Sequence, residues 1–465
     1  MAKIKVIDVV HCKADKGARA LILPALQYKN IVWKKSFYGG RQIEEKVQYL
    51  ITGRKGTGGT FLTGLLPRIE EYIKKEKLKI KITGQENLEI IKPTKEAQLK
   101  GITFRPDQKK VLKKVKKESR GIFLFPTGTG KTLLAAGIIS MFPKNKILFL
   151  CNTTDLIEQA KVEFSRFFKA KNIFVFGNKQ RADWGKIKSC ENPIVISTIQ
   201  SFAKFERKIY IDFFDITIGD ESDLINEEKS QYGKVMLSNL SPRRYGFTAT
   251  LPSKHKKLLC NEGFFGKVIG NLSMKQGIKK NILAKPEIKL LPVEYEVNVR
   301  QGCKNYYDYY SKGIIENKTR NKLIVKEVIK NMKENKSTLI IIENTLHGKI
   351  LKKMFSKEKI KCPFIYGHTE KEKRNKTKQR LQNKKILVTV CSKIWKRGIN
   401  IPTLNNIINA CGMKEENAVI QAMGRGMRTA KGKDTVLLTD FLDPYKYLAE
   451  HSILRIQTYV KMGWI

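Results

Sequence analysis

Residues 121–140 have the sequence GIFLFPTGTGKTLLAAGIIS, which combines two kinds of secondary-structure signal. The apolar run GIFLF predicts a buried strand and TLLAAGIIS has a helical pattern, so PTGTGK is predicted to form the turn between them. A phosphate-binding loop requires this order of strand, loop and helix. Gly128 and Gly130 let backbone N–H groups turn inward around phosphates, and the positive end of the following helix adds to the attraction.

Two side chains give this loop its expected chemistry. Lys131 is expected to reach the β- and γ-phosphates of a nucleotide, and the Thr132 hydroxyl is expected to bind Mg²⁺. Phe125 stands where the motif usually has its first glycine, so the strict pattern fails at one position. The stretch GRKGTGGT, from Gly53 to Thr60, is richer in glycine but lacks the Gly-Lys-Thr ending that supplies the lysine and the Mg²⁺-binding hydroxyl, which indicates a hairpin or turn. The loop residues expected to surround the phosphates are Thr127, Gly128, Thr129 and Gly130.

Short apolar runs continue on both sides of this stretch and alternate with helical patterns. From about residue 100 to 275 the runs are GIFLF, KILFLC, NIFVF, PIVIST, FDITIGD and RYGFTAT. From about 290 to 465 the rhythm repeats with TLIIIE, CPFIYG, KILVTV, NNIINA and TVLLTD. Such alternation predicts two parallel α/β sheets in tandem. Ligands bind outside the carboxyl ends of such strands, so we expect the functional residues there.

The remaining segments set the predicted domain boundaries. The first block mixes strand-like pieces with glycine-rich turns, the helical pattern LLPRIEEYIKKEK and the alternating run LKIKIT, which predicts a small α+β domain. Between the two sheets, around Asn271–Pro292, the chain is expected to be extended and broken by prolines. The predicted domains are an N-terminal accessory or DNA-binding domain over 1–99, an ATP-binding domain over 100–275 and a second domain over 276–465.

Composition restricts the class of protein. A chain of 465 residues with 41% hydrophobic content predicts two to four domains with ordinary cores. No apolar run reaches the roughly 18 residues of a membrane helix, and the N-terminus lacks a signal-peptide pattern, so we expect a soluble cytoplasmic protein, in the host cytoplasm if it is viral. The eight cysteines include no CxxC pair, so we expect buried thiols in a reducing compartment and no zinc site.

Charge is the strongest bulk signal. The chain has 91 Lys and Arg against 43 Asp and Glu, a net charge of +48. Such an excess predicts a polyanion partner, DNA or RNA. Because Lys greatly outnumbers Arg, AT-rich codon usage is an alternative origin of the excess, although DNA or RNA would still be attracted by the resulting positive field.

The run FDITIGDESDL ends a predicted strand with two carboxylates about 90 residues after the phosphate-binding loop. Hydrolysis of a phosphoanhydride needs a carboxylate that holds the metal and a group that orients water. Asp220 suits the first role and Glu221 the second. In isolation such a pair is also typical of a helix N-cap, but its position after the loop favours catalysis.

Two further stretches carry candidate residues. AVIQAMGRGMRTAKG places Gln421, Arg425 and Arg428 at a predicted helix start, and an arginine aimed at the transition state of phosphoryl transfer is worth ~10³–10⁵ in rate. Taken alone, two arginines in a basic protein are also typical of a solvated face or of phosphate-backbone contacts. FRPDQ precedes the loop by one helix, and the Gln108 amide can donate to and accept from adenine at once.

Taken together and in this order, the stretches resemble superfamily 2 helicases and translocases. FRPDQ is similar to the adenine-reading Q-motif region, FPTGTGKT to motif I, DESD to the DExD/H box, GFTATLP (246–252) to motif III, RGINIP (397–402) to motif V and QAMGRGMR to motif VI. VISTIQSF (195–202) is similar to the strand and loop that contact the nucleic-acid backbone. The resemblance implies two tandem RecA-like parallel-sheet domains that hold ATP, preceded by the small α+β domain.

The resemblance also implies site residues. Arg105, Gly398 and Asn400 are expected to join Gln108 and the loop in binding the nucleotide. The residues expected to contact nucleic acid are Thr153, Ser197, Thr198, Gln200, Thr248, Thr250, His347 and Thr389.

A narrower resemblance is to the UvsW-type branch-migration helicases of bacteriophages. It is based on FLTGLLPRIEEYI, on NTLHGKIL followed by YGHTEKEKR, and on the C-terminal run with His451, Arg455 and Tyr459 at helical spacing. Two positions depart from the pattern. Asp223 stands where this group usually has histidine, which leaves the coupling between motifs II and III open, and Cys151-Asn152-Thr153 replaces a proline-containing motif Ia.

The expected function is an ATP- and Mg²⁺-dependent helicase or translocase that acts on branched or partly single-stranded DNA in recombination, repair or replication, with proteins of those processes as candidate partners. One alternative is an RNA-directed or transcript-releasing helicase with the same core. Others are a non-catalytic nucleic-acid-binding protein with a decayed ATP site and the motor subunit of a restriction or packaging complex. Lys131, Asp220, Glu221 and Arg425 are all present, which argues against decay.

Overall fold

The computed structural model describes residues 1–465 with the exception of 36–40, 55, 89, 178–179, 226, 253, 393–400, 414–422, 425, 428 and 430–432. The chain forms two compact units. The first comprises Met1–Phe125 and Gly130–Leu272, and the second comprises Ser273–Ile465 together with Pro126–Thr129. Within the described part of the chain, no helix has the length and apolar character needed to cross a membrane.

The first unit begins with two small sheets. The strands β1 (Ala2–Val6), β2 (His11–Ala14), β5 (Gly59–Leu62) and β6 (Ile80–Thr83) form a sheet in the order β5-β2-β1-β6, in which only β1 and β6 run parallel. The strands β3 (Gln27–Lys35) and β4 (Arg41–Tyr49) pair as a separate antiparallel ribbon. The helices here are α1 (Lys16–Ile22) and α2 (Leu66–Lys75). Between β4 and β5, Gly53 and Gly56 have positive φ, and the Arg19 guanidinium donates to the carbonyls of Gly53 and Arg54, so GRKGTGGT includes a turn as predicted.

The same unit contains an eight-stranded sheet in the order β10-β9-β11-β8-β12-β13-β7-β14, in which only β10 is antiparallel to its neighbour. Its strands are β7 (Arg120–Leu124), β8 (Ile147–Cys151), β9 (Ile173–Gly177), β10 (Gln180–Arg181), β11 (Ile194–Thr198), β12 (Ile216–Asp220), β13 (Arg243–Thr248) and β14 (Val268–Asn271). The accompanying helices are α3 (Pro106–Val115), α4 (Lys131–Ser140), α5 (Thr154–Ser165), α6 (Trp184–Ser189), α7 (Ile199–Phe202), α8 (Gln231–Ser238) and α9 (His255–Phe265).

The N-terminal sheets and the eight-stranded sheet share one hydrophobic cluster, which includes Val6 and Leu62 on one side and Phe265 on the other. A close backbone approach joins them, because a Cβ atom on Gly64 would lie 2.4 Å from the carbonyl oxygen of Glu262. The Arg68 guanidinium donates to both Glu262 carboxylate oxygens at 2.7–3.0 Å. The first block is therefore built into the first unit by apolar burial and by a bidentate ion pair.

The second unit is built on a six-stranded parallel sheet in the order β15-β20-β19-β16-β18-β17. Its strands are β15 (Lys285–Pro292), β16 (Thr338–Ile341), β17 (Phe364–Ile365), β18 (Val388–Cys391), β19 (Asn406–Asn409) and β20 (Thr435–Leu442). Its helices are α10 (Met274–Lys279), α11 (Val297–Arg300), α12 (Tyr306–Tyr310), α13 (Lys318–Lys333), α14 (Thr345–Lys357), α15 (Lys371–Gln382) and α16 (Lys446–Lys461), with a π-helical segment over Ser311–Ile315.

These two sheets confirm the predicted fold class, and each predicted apolar run overlaps one strand. Around Asn271–Pro292 the sequence predicted an extended chain broken by prolines, whereas the structure has a strand there, β15, that pairs in parallel with β20. Pro286 and Pro292 are tolerated because β15 is at the edge of the sheet, where an N–H group need not donate to a second neighbour. Because of these prolines, the sequence did not predict the edge strand β15.

We expect Glu262→Gln to lower the free energy of unfolding by about 1–2 kcal/mol, because it removes the charge from a bidentate, partly buried pair. The Glu262 side chain is only 11% exposed, whereas its partner Arg68 is 36% exposed. The matched control is Glu45→Gln, which breaks an exposed pair of similar length, 2.9 Å, with Lys29. Urea unfolding followed by circular dichroism measures both variants. Equal midpoints for the two would show that the Arg68–Glu262 pair does not stabilise the first unit.

Candidate nucleotide and nucleic-acid site

Three neighbouring strands of the eight-stranded sheet end at one edge with the predicted residues. The strands β7, β13 and β12 are parallel neighbours, and their register pairs Leu124 with Thr248 and Phe247 with Asp220. The phosphate-binding loop follows β7, and the acidic pair ends β12. The carboxyl edge of a parallel sheet is where ligands bind. The fold of the first unit therefore brings the sequence-predicted loop and acidic pair to the same edge.

The backbone of the phosphate-binding loop has the conformation that its glycines permit. Gly128 and Gly130 have φ angles of 90° and 89°, in the left-handed region, and α4 begins directly afterwards at Lys131. Phe125, which replaces the usual first glycine, is buried, and its N–H donates to the Thr248 carbonyl at 2.8 Å. The side chain at this position therefore belongs to the core, and the loop turns only after it.

The Gln108 side chain lies against this loop. It is 1% exposed, and its Oε1 accepts the Arg105 N–H at 3.1 Å in a capping box at the start of α3. Its Nε2 donor has no hydrogen-bond partner among the described residues, and a Cβ atom on Gly130 would lie 3.1 Å from it. The unused donor fits a nucleotide at this edge. The acceptor is engaged within α3, so the predicted two-way reading of adenine would require that bond to open.

Asp220 is a half-buried residue at the end of β12, and its carboxyl is poorly solvated. Burial raises its pKa, and the nearby Lys131 ammonium and the Glu221 N–H, which donates to Asp220 Oδ1 at 3.0 Å, oppose this with a smaller effect. An ionised carboxylate at this position is costly without a positively charged ligand. The residues present therefore fit a bound divalent cation, for which Thr132 was the other predicted ligand.

Glu221 adopts a left-handed backbone conformation with φ 50° and ψ 49°, which is uncommon for a non-glycine residue and is found preferentially at functional sites. The Asn261 side chain, from α9, donates to the carbonyl of the next residue, Ser222. Ser222 also fits tightly against β13, since a Cβ atom on Gly246 would lie 2.9 Å from its side chain. The turn that carries Glu221 is thus fixed by α9 on one side and by β13 on the other.

The position that departs from the family pattern, Asp223, has a specific contact. The Thr248 hydroxyl lies 2.7 Å from Asp223 Oδ1 and 2.7 Å from the Thr250 carbonyl, and it accepts the Thr250 N–H at 3.2 Å. Asp223 therefore connects the acidic box to the stretch that resembles motif III. The Asp223 carboxylate thus provides a hydrogen bond between the stretches that resemble motifs II and III, a link that the sequence left open.

The predicted nucleic-acid contacts of the first unit lie at the ends of β8 and β11, whose register pairs Cys151 with Thr198. Thr153 caps α5 through a bond from the Leu156 N–H, and Thr198 is 5% exposed and caps α7. Gln200 is exposed and donates to Asn152 at 3.4 Å. Ser197 is fully buried, with its hydroxyl donating to the Thr198 carbonyl at 2.9 Å. Of this group, Thr153 and Gln200 have the accessibility that contact with a phosphate requires.

The predicted contacts of the second unit are differently placed. His347 is fully buried on α14, 2.8 Å from the Asn321 side chain, and burial lowers its pKa to about 3. Thr389 is fully buried in β18. Burial therefore contradicts a direct contact between either side chain and nucleic acid. The helix and strand periodicity of the sequence did not predict this burial. Five further predicted residues lie outside the described residues, namely Gly398, Asn400, Gln421, Arg425 and Arg428.

Comparison with family models identifies the class of protein. Residues 101–253 match the family described as Type III restriction enzyme, res subunit, and residues 319–430 match the helicase conserved C-terminal domain. Together the two models span more than half of the chain, and the matched segments include β7 to β13 of the first parallel sheet and β16 to β19 of the second. The chain belongs to the superfamily 2 helicases and is an ATP-hydrolysing enzyme of that class.

Individual relatives are similar to this chain over about 70% of its length. Over 364 residues the chain is 25% identical to the ATP-dependent DNA helicase uvsW of Enterobacteria phage T4. The match covers 73% of this chain and 72% of the relative. It is 24% identical over 343 residues to the transcript termination protein A18 of rabbit fibroma virus, covering 70% and 68%. The solved structure of the ATP-dependent Type ISP restriction-modification enzyme LlaBIII bound to DNA matches this chain with a TM-score of 0.60 and 16% identity. The match covers 84% of this chain and 32% of that one, and it supports only the assignment of the fold.

Sequence reasoning missed the role of α9. Asn261 and Glu262 belong to the stretch LLCNEGFF, in which two polar residues interrupt an otherwise apolar helix. Both are buried and both are hydrogen-bonded, one to the acidic-box turn and the other to Arg68. Buried polar groups need such partners. An Asn-Glu pair inside an apolar run was the available signal.

We expect Asp220→Asn to abolish ATP hydrolysis and to raise the unfolding temperature of the nucleotide-free protein by about 2–4 °C. A carboxyl whose pKa is higher in the folded than in the unfolded state contributes stability at low pH and loses it as the pH rises. At neutral pH the poorly solvated charge of Asp220 therefore costs stability, and the neutral amide removes that cost. Differential scanning calorimetry measures the change.

The control is Asp215→Asn in the same unit. The Asp215 carboxylate accepts the Lys146 N–H at 2.7 Å and the Asn145 amide at 3.1 Å, so its charge is satisfied and the variant should lower the unfolding temperature. A decrease in unfolding temperature for Asp220→Asn as well would show that the charge of the Asp220 carboxylate does not destabilise the folded protein.

Proposed function

We propose that the protein is an ATP- and Mg²⁺-dependent DNA helicase or translocase that acts on branched DNA. The observation that carries the proposal is the convergence of Lys131, Asp220 and Glu221 at one sheet edge, where partial burial raises the pKa of the Asp220 carboxyl. A metal-holding carboxylate and a group that orients water are what phosphoanhydride hydrolysis requires. Similarity to the phage T4 DNA helicase over most of both chains supports DNA as the substrate.

Each of the candidate residues is proposed to have a distinct role. The Gly128–Gly130 backbone and Lys131 would hold the phosphates of ATP, and Thr132 with Asp220 would hold Mg²⁺, which neutralises phosphate charge when bound. Glu221 would orient the attacking water, and its left-handed turn sets the direction of its side chain. Arg425 and Arg428, outside the described residues, are proposed to add positive charge in the transition state.

Contact with nucleic acid is proposed for Thr153, Gln200 and Thr250, which lie at strand ends on the same sheet. Polar side chains and backbone N–H groups at such ends suit phosphate oxygens rather than base edges, so activity should be largely independent of sequence. Binding should weaken with salt, with log K falling by about 0.7–0.9 per log unit of salt for each phosphate contacted. The net charge of +48 supports a polyanion partner of this kind.

A transcript-releasing helicase is the second candidate. Similarity to the transcript termination protein A18 over 70% of the chain favours it, at nearly the same identity as the DNA helicase. The two functions share the ATPase core and differ in the nucleic acid that stimulates it.

We expect Lys131→Ala to abolish ATP turnover and to leave nucleic-acid binding intact. The reason is that Lys131 is proposed to contact the phosphates of ATP and not those of the nucleic acid. Steady-state ATPase assays and fluorescence anisotropy with a labelled DNA fork measure the two properties. Lys208→Ala is the control, since Lys208 is 81% exposed and paired with Glu206 in the same unit. Normal turnover in Lys131→Ala would refute the phosphate-loop assignment.

We expect forked and four-way DNA to stimulate the ATPase more than single-stranded DNA, duplex DNA or RNA, because the proposed substrate is branched DNA. The measurement is kcat and the half-saturating nucleic-acid concentration for each substrate at one fixed salt concentration. Stronger stimulation by RNA would favour the transcript-releasing alternative. Equal stimulation by every DNA form would contradict branch preference while leaving the motor intact.

A further inference from the structure

Helix α9 lies between the N-terminal block, residues 1–99, and the turn that carries Glu221. Its last seven residues are all buried. Among them, Asn261 and Phe265 are four residues apart and so lie on the same face of the helix. Both side chains contact the chain around the acidic end of β12, and the proposed function assigns no role to either of them.

Phe265 packs this face of α9 against the backbone of two strands. A Cβ atom on Gly219 of β12 would lie 2.8 Å from the Phe265 ring, and one on Gly246 of β13 would lie 3.0 Å from it. Gly219 and Gly246 are register partners in these neighbouring parallel strands. Because Gly219 immediately precedes Asp220, the two glycines let α9 approach the sheet directly beside the acidic pair.

Asn261 adds a hydrogen bond to the turn itself. The fully buried Asn261 side chain donates from Nδ2 to the Ser222 carbonyl, which also accepts the Ile225 N–H at 3.1 Å. Ser222 directly follows Glu221 and begins the short helical turn Ser222–Leu224. The bond from α9 therefore holds the main chain one residue after Glu221.

The backbone conformation of Glu221 requires such support. Its φ of 50° and ψ of 49° lie in the left-handed region. A residue with a side chain keeps this conformation only where the surrounding structure determines it. Since the backbone angles set the direction in which the side chain leaves the main chain, a shift of Ser222 would also redirect the Glu221 carboxylate.

The stability of the fold alone does not account for Asn261. Its Oδ1 atom has no hydrogen-bond partner among the described residues, and burial of an unpaired amide oxygen costs free energy. An apolar side chain at this position of an otherwise apolar helix would avoid that cost. The Nδ2 donor, in contrast, bonds to the main chain beside Glu221. The arrangement therefore favours a positional role for Asn261 over a purely stabilising one.

Other positions of α9 are held by the N-terminal block. A Cβ atom on Gly263 would lie 2.6 Å from the Leu62 side chain, and the Arg68 guanidinium donates to the Glu262 carboxylate at 2.7 Å. Movement of α9 away from the acidic pair would therefore disturb its contacts with this block. The helix that carries Asn261 is thus fixed both by the sheet and by the N-terminal block.

We infer that Asn261 is a positioning residue that holds the main chain beside Glu221 in the conformation used for ATP hydrolysis. The inference rests on the proposed function, in which Glu221 orients the attacking water. Loss of the Asn261 bond would misplace Glu221 and slow the chemical step. It would not change how the phosphates are held, because the phosphate-binding loop and Lys131 are attached to β7 and α4 rather than to the turn at Ser222.

The test is Asn261→Leu, which replaces the amide with an apolar side chain of similar size. We expect kcat for nucleic-acid-stimulated ATP hydrolysis to fall by roughly 10-fold to 100-fold, the range for small displacements of a catalytic group, while KM for ATP stays within about twofold of wild type. The unfolding temperature should not fall, because the Ser222 carbonyl keeps its bond from Ile225 and no unpaired amide oxygen stays buried. Asn261→Ala, which removes the same donor without adding bulk, should lower both kcat and the unfolding temperature. Steady-state ATPase assays and differential scanning calorimetry measure these properties.

Asn239→Ala is the matched control. Asn239 is also fully buried, and its side chain donates to the Thr217 hydroxyl at 2.6 Å and accepts the Ser241 N–H at 3.2 Å. Thr217 lies near the amino end of β12, whereas the acidic pair is at the carboxyl end. Asn239→Ala should therefore lower the unfolding temperature and keep kcat within about twofold of wild type. A loss of kcat in Asn239→Ala equal to that in Asn261→Ala would overturn the positioning role in favour of general destabilisation.

Glu221→Gln separates failure of this inference from failure of the proposed function. If Glu221→Gln loses hydrolysis while Asn261→Leu and Asn261→Ala keep wild-type kcat, the positioning role is wrong and the proposed role of Glu221 stands. If Glu221→Gln hydrolyses ATP normally, the proposed role of Glu221 is itself wrong, and the inference falls with it.

Discussion

The parallel register of β12, β13 and β7 is the constraint on which the candidate site depends. The carboxyl ends of parallel neighbours lie at the same edge of the sheet, so Lys131 and Asp220, which are far apart in sequence, come to that edge together. Most residues of these strands are buried, and the candidate polar residues lie at the carboxyl ends or just beyond them. Chemistry and core are therefore separated along each strand rather than across the sheet.

The N-terminal block is an integral part of the first unit rather than a separate domain. Helix α9 packs between that block and the acidic-box turn, with Glu262 bonded to Arg68 and Asn261 bonded to the Ser222 carbonyl. Adjacent residues of one helix thus serve two different neighbours. A change in the N-terminal block has a short physical path to the backbone beside Glu221, through a helix whose last seven residues are all buried. Removal of the block would also expose the cluster that it shares with the eight-stranded sheet.

Much of this fold could be predicted from the sequence because its signals are local. Continuous apolar runs identified the strands of both sheets, and the order strand, loop and helix identified the conformation around Gly128 and Gly130. What could not be predicted depends on the third dimension. The edge position of β15 makes its prolines acceptable, and the burial of His347 against Asn321 depends on a neighbour distant in sequence. The bond from Asn261 to the acidic-box turn likewise crosses 39 residues, and no spacing rule relates the two.

The net charge predicts the class of partner but not where the partner binds, because arginine and lysine are used differently. Arg243, Arg244, Arg320 and Arg455 are buried, and they hold main-chain carbonyls or carboxylates inside the two units. Burial, together with the nearby positive charge of Arg120, lowers the pKa of Arg244 to about 9. Guanidinium groups suit such interior bonding because they present several donors in a fixed plane and are weakly hydrated, whereas the lysine ammonium keeps to water. The positive field that a polyanion would experience therefore comes mainly from surface lysines, while several arginines act as internal scaffolding. Strand ends, rather than charge density, are accordingly the better guide to the position of the site.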